Sequence, residues 1–421
     1  MKKILSGFQG DKAIWAFVIL LAIISFMPVF SASTNLVHVV GTGTIVGILV
    51  KHSFHIFVGI LIVYIIHRVP FDRFKYFAPI VWIAAGILLF ITATQGMTIG
   101  GANASRWLKV PLINLSFQPS SIGWISIMAY LAWFLWRFED EYYSFKKSLL
   151  YVWLPIAFIV FPIAPSNLST AALIFTSCCM LLFIGKYPLR YLGKVMMICA
   201  LLGTLFFFAA KAFPDAMPSR FSTWVARIER FGSEDEEVDR YQIDNAKIAI
   251  AKGEIFGVGP GKSVQKNFLP QSSSDFIYAI IVEEFGLVGG ITILFFYTLL
   301  LFRFLVVSMK ASNSFGRYLV VGLGFSIIFQ ALINMGVAVE IFPTTGQPLP
   351  LISSGGTSIW MTCVSIGIIL SVSRKEELVK QQMKESEQKQ EAFREMLAEQ
   401  EAAKEERTED EDIAVNTLKN L

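Results

Sequence analysis

Residues Ala13–Ala32 read "AIWAFVILLAIISFMPVFSA" and hold no charged side chain. Wound as a helix at 1.5 Å per residue, such a run reaches about 30 Å, the thickness of a bilayer's hydrocarbon layer. A secretory leader would end at a small-residue cleavage site, and none lies at a suitable distance. The run is therefore expected to be a retained membrane helix.

Comparable runs recur and predict membrane helices near 13–32, 46–66, 76–95, 121–137, 148–164, 168–185, 194–213, 277–303, 317–340 and 356–373. The expected fold is an all-α polytopic integral membrane protein with about ten transmembrane helices. Composition agrees: of 421 residues, 54% are hydrophobic and 16% charged, where a soluble domain carries about 25% charged residues. Residues 1–375 form the expected membrane domain. Residues 376–421, rich in Glu, Lys and Gln, are too poor in apolar residues for a core and form a charged cytoplasmic tail.

Lysine and arginine in short loops set orientation. They cluster before the first span (Lys2, Lys3, Lys12) and after the second (Arg68, Arg73, Lys75), fourth (Arg137, Lys146, Lys147), sixth (Lys186, Arg190, Lys194), eighth (Arg303, Lys310, Arg317) and last (Arg374, Lys375). Lys51, Arg106 and Lys109 are the exceptions. Both termini are thus expected in the cytoplasm. The polar stretches Gly96–Ser120 and Pro214–Ser274 then face outward, the second being a long loop between helices 7 and 8. Cys178, Cys179, Cys199 and Cys363 fall inside spans and read as small packing residues.

That outer loop contains "GVGPGKS", Gly257–Ser263. A phosphate-cradling P-loop needs a glycine where Phe256 stands, and Pro260 removes an N–H the cradle would use. On the outer side there is no ATP. These glycines must serve backbone shape or another anionic ligand, and no nucleotide is expected.

Polar residues gather near the outer face in four segments: Asn103–Ser121, Ala164–Ala172, Arg227–Gly286 and Ile333–Ser358. Irregular backbone at membrane depth is tolerated only where protein buries it or it lines a wet cavity. Asp275 stands at the mouth of a span and reads either as a helix cap or as a working acid. Glu283 and Glu284 lie about two turns deeper, where an internal salt bridge and direct chemistry are both open. Arg106, Lys109, Lys262 and Lys266 supply cations on that side, as solvated or headgroup-facing residues or as site residues. HExxH, CxxC and Gly-x-Ser-x-Gly are absent, and His52 and His55 lack a third ligand, so no protein-held metal site is expected.

The order of segments resembles the SEDS family of bacterial cell-wall synthesis (shape, elongation, division and sporulation), and within it the FtsW/RodA glycosyltransferases. The likeness runs from about Trp15 to Ser373. It is carried by Arg106-Trp107 with Phe117-Gln118-Pro119-Ser120, by Asn167-Leu168-Ser169-Thr170-Ala171, and by Tyr241-Gln242, Gly257-Val258-Gly259, Ser263, Lys266, Leu269-Pro270, Asp275-Phe276-Ile277 and Glu283-Glu284. A closing signature follows in Asn334, Gly336, Pro343, Gly346, Leu349-Pro350, Ser353 and Gly355-Gly356-Thr357-Ser358.

The resemblance implies a ten-helix fold in the cytoplasmic (inner) membrane and a polymerase of lipid II, the undecaprenyl-pyrophosphate-linked disaccharide-pentapeptide. The division branch is favoured by "TTGQPLPLISSGGTS" and the long tail. It makes Asp275 the catalytic acid–base residue, with Arg106, Lys262, Lys266, Glu283, Glu284, Asn167, Ser353, Gly355 and Gly356 expected to bind substrate. A divalent cation, Mg2+ or Mn2+, is expected to help balance the pyrophosphate. The implied partners are a class B penicillin-binding protein acting as transpeptidase and other divisome or elongasome membrane proteins; no nucleic acid is expected. A lipid II flippase and a non-catalytic scaffold recruiting a transpeptidase are the alternatives. Two positions depart from the pattern: an acidic residue and a lysine usual on the fourth span are replaced by Ser121 and Trp124. The usual histidine before the aspartate is also missing from Ser272-Ser273-Ser274.

Overall fold

A computed structural model describes residues 8–38, 44–95, 106–110, 115–139, 144–212, 237–269 and 272–419. Contacts divide the chain into two units, Met1–Ser373 and Arg374–Leu421.

The first unit is built from helices α1 (Lys12–Ile24), α2 (Phe26–His38), α3 (Ile45–Ile66), α4 (Phe74–Gln95), α5 (Pro119–Arg137), α6 (Phe145–Ile163), α7 (Leu168–Ile184), α8 (Leu189–Ala212), α9 (Glu237–Gly253), α10 (Ile277–Lys310), α11 (Ser314–Ala338) and the start of α12 (Gly356–Lys419). Among the described residues, eight helical segments are long and apolar enough to cross a membrane, α1 and α2 together forming the first, Lys12–Thr34. α5, which carries Ser120, Ser121 and Ser126, and the 17-residue α7 are not among them. In the second unit the chain is helical and its described side chains are mostly exposed.

Lipid is as apolar as leucine, so these helices associate through close packing instead of hydrophobic exclusion. α11 is the most buried span and α8 among the least. At Gly324 of α11 a Cβ would sit 2.7 Å from the Phe304 ring of α10, so the small residue sets the separation. Outward-facing Val46, Phe57, Phe161 and Leu201 are the surface such a bundle offers to lipid. At one end Asp11 accepts from the N–H groups of Ala13 and Ile14, capping α1, and its carboxylate pairs with Arg303 of α10.

Three local features were not expected. Within the polar stretch before α5, strand β1 (Leu108–Val110) pairs antiparallel with β2 (Leu115–Phe117), in the register Leu108↔Phe117. The long loop contains the 17-residue α9; residues 214–236 of that loop lie outside the described residues. α10 is broken at Gly286 (φ 68°, ψ −170°). Glu283 and Glu284 therefore belong to a short helical piece ahead of the break, which corrects their expected depth inside one continuous span.

Candidate active site

Asp275 sits in the turn before α10, held by its main chain. Asn334 of α11 donates from Nδ2 to the Asp275 carbonyl at 2.8 Å and to the Gln347 carbonyl at 2.7 Å. Gln347 in turn donates to Thr170 Oγ1 of α7 at 2.6 Å. Ser353 donates to the Ser274 carbonyl at 2.6 Å and accepts from the Leu349 N–H at 2.7 Å, while the Ser354 N–H meets the Ser273 carbonyl at 2.9 Å. The irregular segment between α11 and α12 is thus stitched along the acid's turn. This satisfies backbone groups that helices cannot serve.

The carboxyl itself is not a cap. Phe276 is the N-cap of α10, without a side-chain cap bond, and among the described residues Asp275 accepts no N–H of that helix. Its side chain lies beside Ser274 and Arg106. Burial pushes its pKa from 3.8 up to about 6, against the Ser274 hydrogen bond and the Arg106 charge, which pull it down.

Arg106 comes from the strand side, its Nε donating to the Ser166 carbonyl at 2.8 Å. The two charged groups meet over Gly346, whose φ is +66°: a Cβ there would lie 3.5 Å from Asp275 Oδ2 and 4.0 Å from Arg106 Nη1. Arg106, Gln118, Ser166 and Asn167 line one small recess, and Asn167 uses its Oδ1 to cap α7 through the Thr170 N–H at 3.1 Å. A neighbouring cavity is lined by Gln118, Ser121, Trp124, Gln330, Gln347 and Ser358 among others, with no charged side chain among the described residues. Trp124 Nε1 is buried without a hydrogen-bond partner among the described residues.

The other residues expected to bind substrate make contacts within the chain. Glu283, fully buried, accepts from Ser263 Oγ and from the N–H groups of Val264 (3.0 Å) and Gln265 (3.3 Å). Glu284 accepts from Ser31 Oγ and the Ser263 N–H (3.3 Å). Lys266 Nζ donates to the Gly261 carbonyl at 2.8 Å and lies 3.2 Å from Ser31 Oγ. These three fasten the glycine-rich loop to α2 and α10, while Glu284 Oε2 is buried without a hydrogen-bond partner among the described residues. Ser353 is likewise buried and committed. Gly356 lets α12 start against α3, where a Cβ would stand 3.0 Å from His55 Nε2, and the Gly355 N–H bonds the Ser353 carbonyl. Lys262 is exposed, and no contact joins it to Asp275 among the described residues. The Lys109 side chain lies outside the described residues.

The structure thus brings together Arg106, Asp275 and Asn167 of the expected residues. It adds Asn334, Gly346 and Gln347, of which Asn334 and Gly346 stand in the closing signature. Among the described residues no group of three His, Cys, Asp or Glu side chains could hold a metal. A lone carboxylate beside a guanidinium does not fit a caged cation.

Fold and site together define a mainly helical, multi-pass membrane protein in which, among the described residues, the Asp275 carboxyl and the Arg106 guanidinium approach each other over Gly346. The sequence profile of the FtsW/RodA/SpoVE family, described as "Cell cycle protein", matches residues 11–378, and the chain belongs to that family. It is 30% identical over 338 residues to the "Probable peptidoglycan glycosyltransferase FtsW" of Coxiella burnetii, covering 78% of this chain and 87% of that protein. To the protein of the same name from Haemophilus influenzae it is 29% identical over 379 residues, covering 88% and 92%. The fold is that of the "Rod shape determining protein RodA" of Thermus thermophilus (TM-score 0.62, 22% identity, covering 87% of this chain and 97% of that one). It is also that of a chain in a structure described as "Structural coordination of polymerization and crosslinking by a peptidoglycan synthase complex" (TM-score 0.67, 21% identity, covering 87% and 98%).

Proposed function

We infer that this chain is a peptidoglycan glycosyltransferase that polymerises lipid II at the outer face of the cytoplasmic membrane during cell division. Family membership supports the reaction class, and the convergence of Asp275 and Arg106 at Gly346 carries the reading to a site.

The 4-hydroxyl of one lipid-linked disaccharide attacks the anomeric carbon of another. The new C–O bond forms as the bond to the lipid pyrophosphate breaks, and in-line attack on an α-linked donor gives a β-linkage. Asp275 takes the hydroxyl proton. With a pKa near 6 it is a stronger base than an ordinary carboxylate and is still ionised at neutral pH. Arg106 offers its guanidinium to the departing pyrophosphate, and exposed Lys262 is a second cation on the same side of the chain. A divalent cation, Mg2+ or Mn2+, would enter with the pyrophosphate oxygens and not reside in a protein cage; no nucleotide takes part.

In this reading α5 and α7 also cross the bilayer, giving ten spans with both termini cytoplasmic. Residues 1–375 are the catalytic membrane domain, and 376–421 a cytoplasmic tail. The partner is a class B penicillin-binding protein that cross-links the strands, alongside other division proteins of the membrane. Purified protein, with and without such a transpeptidase, is to be incubated with lipid II in detergent. Glycan strands are expected. Their absence, with transfer of lipid II across vesicles instead, would favour the flippase, and inactivity in both assays the scaffold.

A further inference from the structure

The break in α10 is mended by another part of the chain. An unbroken helix would pair the Leu287 N–H with the Glu283 carbonyl and the Val288 N–H with the Glu284 carbonyl. Instead Leu287 donates to the Glu254 carbonyl (2.9 Å) and Val288 to that of Ile255 (3.2 Å), while the Glu283 and Glu284 carbonyls accept from Val258 (2.9 Å) and Gly259 (3.0 Å). The approach is main chain on main chain: a Cβ at Gly257 would lie 2.2 Å from the Glu284 oxygen, and one at Gly286 2.2 Å from the Ile255 oxygen. This is the use the structure gives to the glycine that opens "GVGPGKS".

The arrangement fixes the position of an apolar tip. Phe256 is 82% exposed, beside exposed Ile255 and Val258. Across the main-chain bonds stand Leu287 and Val288, exposed together with Ile291 one turn further along α10, and on a membrane span such exposed apolar side chains are the surface left to lipid. From Arg303, paired with Asp11 at the other end of the span, to Gly286 the helix covers about 26 Å. A hydrocarbon layer is about 30 Å thick. Gly286 and the tip bonded to it thus stand at the boundary between acyl chains and headgroups, and exposed Lys252 and Lys262 flank the tip in sequence. Exposed Glu254 stands between Lys252 and the tip, so the apolar side chains are bordered by charged ones, as in a segment seated at the interface.

We propose that Ile255, Phe256 and Val258 are immersed in the acyl–headgroup boundary of the bilayer, continuing the lipid-facing surface of α10 and anchoring the loop that runs on to Lys266 at a fixed height. The proposal stands independently of the glycosyltransferase reading. It is tested in full-length protein freed of its four cysteines, with a single spin-labelled cysteine at Phe256, at Val288 or at exposed Asn267, in phosphatidylethanolamine–phosphatidylglycerol vesicles. Collisions with oxygen and with a water-soluble nickel chelate are measured. The label at 256 is expected to show the high oxygen-to-chelate ratio of the label at 288. A ratio equal to that at 267 would place the tip in water and overturn the proposal. Because Phe256 packs against nothing it would leave exposed, its replacement does not threaten the fold, and helical content checks this.

Discussion

Asn334 grips Asp275 by its main chain, with 2.8 Å between the amide Nδ2 and the Asp275 carbonyl, and the same Nδ2 reaches the Gln347 carbonyl. One side chain therefore sets the distance between the acid's turn and the segment after α11. Asn334→Ala leaves two acceptors without their donor, a loss of about 1–3 kcal/mol. The thermal midpoint in detergent is expected to fall. Glycan synthesis, measured well below that midpoint, is expected to fall further than the unfolded fraction explains, because the acid is no longer positioned. Wild-type synthesis by a destabilised variant would reduce Asn334 to a packing role.

Arg106 pulls the Asp275 pKa down against the upward push of burial. Removing the charge in Arg106→Gln raises that pKa, so the base becomes protonated at a higher pH. The acid limb of the synthesis rate, expected near pH 6 in the wild type, should move upward in the variant, alongside a lower rate if the guanidinium serves the departing pyrophosphate. A lower rate with an unmoved limb would mean that the two groups are not coupled during turnover.

Glu283→Gln separates structural from substrate-binding roles. The buried carboxylate accepts from Ser263, Val264 and Gln265, and hydrogen bonds to a charged group contribute about 1.5–3 kcal/mol. The variant is expected to melt earlier and to be cleaved faster by protease within residues 257–269, with KM for lipid II little changed. An unchanged melting curve with a raised KM would return Glu283 to the substrate.

The spans were legible because an apolar run of the right length has few alternatives: the run 277–303 and helix α10 begin at the same residue, and 46–66 and α3 differ by one. What the sequence hid is what depends on facing. A carboxylate on an apolar helix reads the same whether it meets a ligand or, as Glu283 does, another stretch of its own chain. Gly286 inside an apolar run gives no sign of a break, since glycine is common in membrane helices. α9 was hidden by its polar composition and β1–β2 by three-residue strands. Arg106 and Asp275 could be placed on one side of the membrane from charge bias; that they meet over Gly346 required the turn of chain carrying its positive φ.

The lysine and arginine bias predicts an orientation that can be checked without activity. Single cysteines at exposed Asn267 and Ser386, in a cysteine-free background, are to be treated with a membrane-impermeant thiol reagent in intact spheroplasts. Labelling at 267 and protection at 386 are expected, with both labelled after permeabilisation. The reverse pattern would invert the topology and place Asp275 on the cytoplasmic side.

Asp275→Asn keeps size and polarity but cannot accept the proton. If the carboxylate is the general base, synthesis at neutral pH falls at least ~100-fold. Stability should respond in the opposite sense. The folded pKa of about 6 lies above the ordinary 3.8, so the folded protein holds the proton more tightly than the unfolded chain does. Wild-type stability is therefore greatest, on this account, below 3.8, declines as pH rises through 6, and stays lowered above it. Asparagine does not titrate, so the variant's thermal midpoint should rise relative to wild type across that window and remain level or higher at neutral pH. Asp244→Asn, on the exposed face of α9, serves as control and should leave rate and melting unchanged. A variant at position 275 that polymerises lipid II at the wild-type rate would remove the acid from the reaction, whatever its melting curve shows.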